Sequence, residues 1–168
     1  MTPATATTPT GAATTGSDGG AATSGPAGCR AAGLTASFLG GQGATGHGEL
    51  GFALRNTGSG PCSTGGYPGV QFLGSGGAAL PTVPTHATTD FFGSTPERAL
   101  VVAAGQSVSF RLDVSHGSGS GADCHTASAL QIIAPNDTAT LTATIPGGAL
   151  ECGAAIVSPV APGDSAYR

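Results

Sequence analysis

Residues 1–28 of this chain contain no Leu, Ile, Val or Phe, and all 29 residues of those four types fall among the 140 that follow. Folding is driven by burial of apolar side chains, so any core has to be built from residue 29 onward. The leading segment consists of Met1, Asp18 and otherwise only Thr, Ala, Gly, Pro and Ser, a composition that reads as a flexible, disordered N-terminal tether. Residues 29–168 are read as one modest domain. Only 8% of the chain is charged, so little self-repulsion opposes collapse.

Within the domain the apolar period is two. Val108, Phe110, Leu112 and Val114 alternate with Ser109, Arg111 and Asp113, which predicts a half-buried strand with its polar side chains in water. Leu50, Phe52 and Leu54 repeat the pattern, as do Leu141, Ala143 and Ile145. Shorter candidates are Leu34 to Leu39, Val70 to Leu73, Leu100 to Ala103, Leu130 to Ile133 and Ala154 to Val157. Gly- and Pro-bearing runs such as Asn56-Thr57-Gly58-Ser59-Gly60-Pro61, Tyr67-Pro68-Gly69 and Ala104-Gly105-Gln106 separate them, and no apolar stripe keeps helical spacing. Seven or eight short strands with such turns predict an all-β, two-sheet antiparallel sandwich. The chain has no Trp, so the core is expected to close around Phe38, Phe52, Phe72 and Phe110.

Four cysteines, Cys29, Cys62, Cys124 and Cys152, lie too far apart for CxxC metal or redox motifs. Of the three pairings, Cys29 with Cys62 and Cys124 with Cys152 is favoured, because neighbours close loops within each half without threading the fold. Each bridge would contribute about 3 to 4 kcal/mol on the loop-entropy model. The competing reading is four reduced thiols in a cytosolic protein. Oxidised cysteines point outside the cytoplasm, although Met1-Thr2-Pro3-Ala4-Thr5 lacks the basic start and apolar segment of an export signal.

The cations are Arg30, Arg55, Arg98, Arg111 and Arg168, widely spaced, with no Lys and a net charge of −4. That excludes a nucleic-acid footprint and phosphate loops of the GxxxxGK type. The longest strongly apolar run, Ala99 to Ala104, falls far short of the roughly 18 residues of a spanning helix. Gly41-Gln42-Gly43-Ala44-Thr45-Gly46 matches GxGxxG, but a strand pattern follows where a dinucleotide site needs a helix, so it reads as a flexible loop between strands. A dispersed triad could draw on His47, His86, His116 or His125 with Asp90, Asp113 or Asp123. Glu49 and Glu97 could pair for glycoside cleavage, yet no Trp offers a sugar platform. Asp123-Cys124-His125 would alternate across a strand and so not share a ligand. Asn136-Asp137-Thr138 reads as a polar turn.

The order of these marks resembles a known family. A first cysteine precedes Gly46-His47 and a strand. Leu54-Arg55-Asn56-Thr57-Gly58-Ser59-Gly60-Pro61-Cys62 and Gly66-Tyr67-Pro68-Gly69-Val70 come next. Ala103-Ala104-Gly105-Gln106-Ser107-Val108 then enters a strand, and Cys124 and Cys152 complete the set. From Cys29 to about Val160 the chain is similar to the actinobacterial domain of unknown function 4232, found in secreted proteins and lipoproteins. Where the family often has Pro, this chain has Ala104. The resemblance implies an immunoglobulin-like sandwich outside the cytoplasm and carries no assigned activity, cofactor or functional residue.

Function is therefore expected at the surface. Phe91-Phe92 stands in a Pro- and Thr-rich segment from Pro81 to Pro96, either plugging the end of the sandwich or forming a contact site. Tyr67 is a second candidate, more naturally a cover for the core edge. The expected protein is a monomeric, non-enzymatic envelope or secreted module without cofactor or metal, binding an envelope protein or glycan. The alternatives are an extracytoplasmic hydrolase and a purely structural spacer.

Overall fold

The computed structural model describes residues 25–117 and 123–167. Most of the expected tether therefore lies outside the described residues. The chain is already paired just ahead of Cys29, because Gly28 bridges Ser63 and the Ser63 amide donates to the Ala27 carbonyl at 2.8 Å.

Strands β1 (Leu34–Ala44), β2 (His47–Asn56), β3 (Cys62–Gly65), β4 (Gly69–Leu73), β5 (Val83–His86), β6 (Thr89–Asp90) and β7 (Gly93–Ser94) occupy the first part. They are followed by β8 (Ala99–Val102), β9 (Ser107–Ser115), β10 (His125–Ile133), β11 (Thr140–Glu151), β12 (Ala154–Val157) and β13 (Ala161–Pro162). The only helical geometry among the described residues is in short 3-10 turns, so none of their helices could cross a membrane. All eight segments with period-two or apolar runs are strands, as alternation of Cβ across a pleat requires.

A large sheet runs β1-β2-β9-β12-β5, with β13 also on β9, and a smaller one runs β11-β10-β4. β3 pairs β8, and β6 pairs β7. Pairing is antiparallel with one correction to expectation: β5 lies parallel to β12. The connection between these two strands is the whole of residues 87–153 rather than a hairpin, so a parallel register is sterically open to it.

One core joins the two larger sheets. Leu50, Phe52 and Leu54 from β2 and Val108, Phe110, Leu112 and Val114 from β9 pack with Phe72, Leu130, Ile132, Ala143 and Ile145 of the smaller sheet. Phe52, Phe72 and Phe110 are completely buried. The rings of Phe52 and Phe110 stack with centroids 5.6 Å apart, and Phe38, only half-buried, tilts against Phe52 at 5.3 Å. The aromatic core is the one the sequence predicts.

Turn chemistry delivers the cysteines. Asn56, buried at the end of β2, accepts the Gly58 amide on Oδ1 at 2.9 Å and donates through Nδ2 to the Gly60 and Val102 carbonyls, each at 2.9 Å. Its backbone is bonded to Gly105 and Gln106. This side chain can accept and donate at once, so it holds the turn that brings Cys62 onto Cys29. The disulfides are Cys29–Cys62 and Cys124–Cys152, as favoured from loop closure. Asn136, at φ 62°, and Asp137 form the turn between β10 and β11.

Two further expectations are corrected. Residues 41–44 continue β1, and Thr45 and Gly46 alone make the turn into β2, with Gly46 at φ 75°. β9 is not half-buried: Ser109, Arg111 and Asp113 are buried as fully as the apolar residues between them. An earlier segment, the β6–β7 hairpin, and the C-terminal stretch cover the face that alternation assigned to water.

Truncating the shared core should be costly while trimming the exposed side of the β3–β8 pair should not. Phe52→Ala is expected to lower stability by about 3 to 5 kcal/mol, and Val101→Ala, at a site 66% exposed, by no more than about 0.5 kcal/mol, as read from urea denaturation.

Candidate functional site

The outer face of the large sheet carries a row of buried polar groups organised by Arg111. Its Nε donates to Asp90 Oδ2 at 2.8 Å and Oδ1 at 3.1 Å. Nη1 donates to the Ala166 carbonyl at 2.8 Å and Thr95 Oγ1 at 3.1 Å, and Nη2 donates to the Gly93 carbonyl at 2.9 Å. The planar fork of guanidinium donors suits such a convergence of acceptors. It binds two distant segments onto β9: the β6–β7 hairpin and the C-terminal stretch.

That hairpin is short. Thr89 pairs with Ser94 and Asp90 with Gly93, which leaves Phe91 and Phe92 as its two tip residues. Asp90 Oδ1 accepts the Phe92 amide at 2.8 Å, and Asp113 Oδ2 accepts the Phe91 amide at 3.0 Å. The other oxygen of Asp113 lies 2.7 Å from His47 Nδ1. The His47 ring stacks on Phe91 with centroids 4.2 Å apart and planes 7° from parallel, and Phe92 meets Phe91 edge-on at 5.2 Å. Phe91 is nevertheless 55% exposed. Beside His47 a shallow cleft of about 130 Å³ is lined by Val83, Thr85 and Ile156, and Val83 is itself 73% exposed.

Farther along the same face, Glu49 lies opposite Asp113 and is fully buried. It accepts from Gln42 Nε2 on one oxygen, and its other oxygen has no partner among the described residues. Tyr167 lies across Gly51, where any side chain would displace its ring. Burial, and then the Glu49 carboxylate, raise the Tyr167 phenol above its ordinary value of 10.0.

Phe91 and Phe92 are thus brought together against His47, the first residue of β2, and Asp113 of β9. Tyr67 is elsewhere: half-buried, it stacks on His86 at 4.6 Å. Of the titratable residues considered for a triad, only His47 and Asp113 meet, and no hydrogen bond among the described residues joins His47 to a hydroxyl. His125 faces Glu151 at 3.7 Å, while His116 packs on Gly48. Glu49 and Glu97 share no contact, since Glu97 lines a separate cavity with Arg98. Among the described residues no trio of His, Cys, Asp or Glu is placed to hold a metal ion. Pattern reading missed Arg111, Asp90, Asp113 and His47 as the support of Phe91. The signal available was an Arg and an Asp on one strand face in a chain with few charges, with another Asp immediately before the aromatic pair.

The profile of the domain of unknown function DUF4232 matches residues 29–161. The chain belongs to this family. Neither the curated proteins nor the solved structures contain a match to it. The DUF4232 span includes Arg111, the Phe91 hairpin and both disulfides, whereas Ala166 and Tyr167, which complete the cover of the outer face, lie beyond it.

Two measurements probe this layer. Asp90→Ala should destabilise the DUF4232 domain by about 3 to 5 kcal/mol, because it leaves a buried guanidinium without its counter-charge, whereas an exposed ion pair would cost about 1 kcal/mol or less; chemical denaturation distinguishes the two. The folded Tyr167 phenol ionises later than an unfolded one, so its contribution to stability is complete below pH 10 and is lost as pH rises beyond it. Absorbance titration should show a late tyrosine step that Tyr167→Phe removes.

Proposed function

We propose that this DUF4232 protein is a non-enzymatic, immunoglobulin-like β-sandwich module of the cell envelope or extracellular medium that binds a protein partner through the Phe91 hairpin. Two disulfides fit an oxidising compartment. The observation that carries the reading is an aromatic ring left 55% exposed although it is clamped by stacking, an edge contact and a backbone hydrogen bond to a buried carboxylate. Ordering a side chain on association costs free energy, and a ring already held in place avoids most of that cost. Exposed aromatics of this kind are the usual anchors of protein interfaces. Val83 and Ile156, beside the shallow cleft, extend the apolar surface on which a partner's side chain would rest.

The test compares retention of native protein and of a Phe91→Ala, Val83→Ser double variant on an immobilised envelope extract. Both replaced residues are exposed, so the variant should fold. Loss of retention by about tenfold or more, the effect of removing an interface anchor, is the expected result, and equal retention would remove the hairpin from the binding surface.

A second reading rests on the His47–Asp113 contact at 2.7 Å, the base and orienter of a hydrolase. It requires covalent labelling by a fluorophosphonate that disappears in His47→Ala.

A further inference from the structure

A cavity of about 630 Å³ that shares no lining residue with the hairpin is bounded in part by Ser63, Thr64 and Gly65 of β3. It is lined by Arg30, residues 63–66 and 97–99, and the Pro135–Asn136 turn. That volume is within the range of about 300 to 1,000 Å³ typical of small-molecule sites.

Three features of the sequence converge there. Arg30 and Arg98 are two of only five cations in a chain of net charge −4, and both are among the residues that line this space. The Cys29–Cys62 bridge fastens the residue before Arg30 to the first residue of β3. Gly65, at φ 159°, lets the Arg98 backbone approach to where a Cβ would sit 2.7 Å from its carbonyl oxygen. A larger residue at 65 would push Arg98 away from the rim.

The two guanidiniums are differently prepared. Arg30 Nη1 donates to the Asn136 carbonyl at 2.7 Å and lies 3.4 Å from Asp137, with the side chain 61% exposed. The Asp137 carboxylate is itself held by the Ala31 amide at 2.7 Å and the Thr138 amide at 2.8 Å, and those backbone donors keep it below its ordinary value of 3.8. It therefore orients Arg30 while drawing most of its own hydrogen bonds from the backbone. Arg98 is exposed and engaged in no salt bridge among the described residues. Glu97 is the one carboxylate on the lining, on the Gly66 side.

We infer that this cavity binds a small oxyanion, a phosphate or carboxylate carried on a polar group of sugar size, between Arg30 and Arg98. Guanidinium forks match both anions in geometry. No aromatic or large aliphatic side chain lines the cavity, which favours a polar ligand over a large apolar one. Glu97 opposes the anion and sets its affinity from the other side.

The experiment is an amide-resolved NMR titration of the full chain at low ionic strength, with pyrophosphate in one arm and glucuronate in the other. The expected result is saturable shifts confined to Thr64, Gly65, Gly66 and Asn136, with the arm that binds more tightly naming the anion. Arg98→Ala should weaken binding by about tenfold or more, the effect of losing one charge-assisted hydrogen bond. Glu97→Gln should strengthen it, and added salt should weaken it. Both replaced residues are exposed, so the native spectrum should persist in each variant. Absence of saturable shifts with both probes, or equal affinity in native protein and Arg98→Ala, would overturn the inference.

Discussion

The guanidinium of Arg111 is the contact on which the outer half of this molecule depends. It projects from β9, at the centre of the large sheet, and its donors reach Asp90, Gly93, Thr95 and Ala166. Burying a guanidinium is costly unless it is paired and hydrogen-bonded, and here the partners come from segments 16 to 55 residues away in the chain. Satisfying one side chain therefore brings two stretches of backbone down over the sheet. Once they are in place water is excluded, and Asp113, Ser109 and Glu49 are buried beside Arg111.

The inner half is held by different forces. Its core is small, with three fully buried phenylalanines and many alanines, and two disulfides tie its margins. Cys29–Cys62 joins the entry of the domain to β3, while Cys124–Cys152 extends the β10–β11 ladder beyond the His125–Glu151 pair. By limiting the unfolded chain, such links compensate for modest apolar burial.

The two candidate binding regions divide along the same line. The Phe91 hairpin is held by hydrogen bonds to Arg111 and Asp113 in the layer beneath it, which is the preorganisation that an exposed anchor needs. The oxyanion cavity depends instead on the first disulfide and on Gly65, so weakening the Arg111 layer should disturb one and spare the other. Neither region contains a run of charge or a motif of fixed spacing, and for that reason neither stands out in the linear chain.

Much of the architecture was readable before any coordinate. Alternation placed three strands, because side chains on a pleat must point to opposite faces, and short apolar runs between turn residues placed five more. Asn56 and its glycines announced the turn before Cys62, and loop closure favoured the disulfide pairing that is found. Alternation says only that two faces differ, however, and it assigned Ser109, Arg111 and Asp113 to water. Which polar face is covered depends on where residues 88–98 and 158–167 come to rest, and that is settled by hydrogen bonds to a guanidinium far away in the chain. The strands and their inward faces are thus local properties of the amino-acid order, whereas the buried polar layer, the clamped ring of Phe91 and the cavity beside Arg98 exist only once remote segments pack, because each is made of groups whose partners no local period connects.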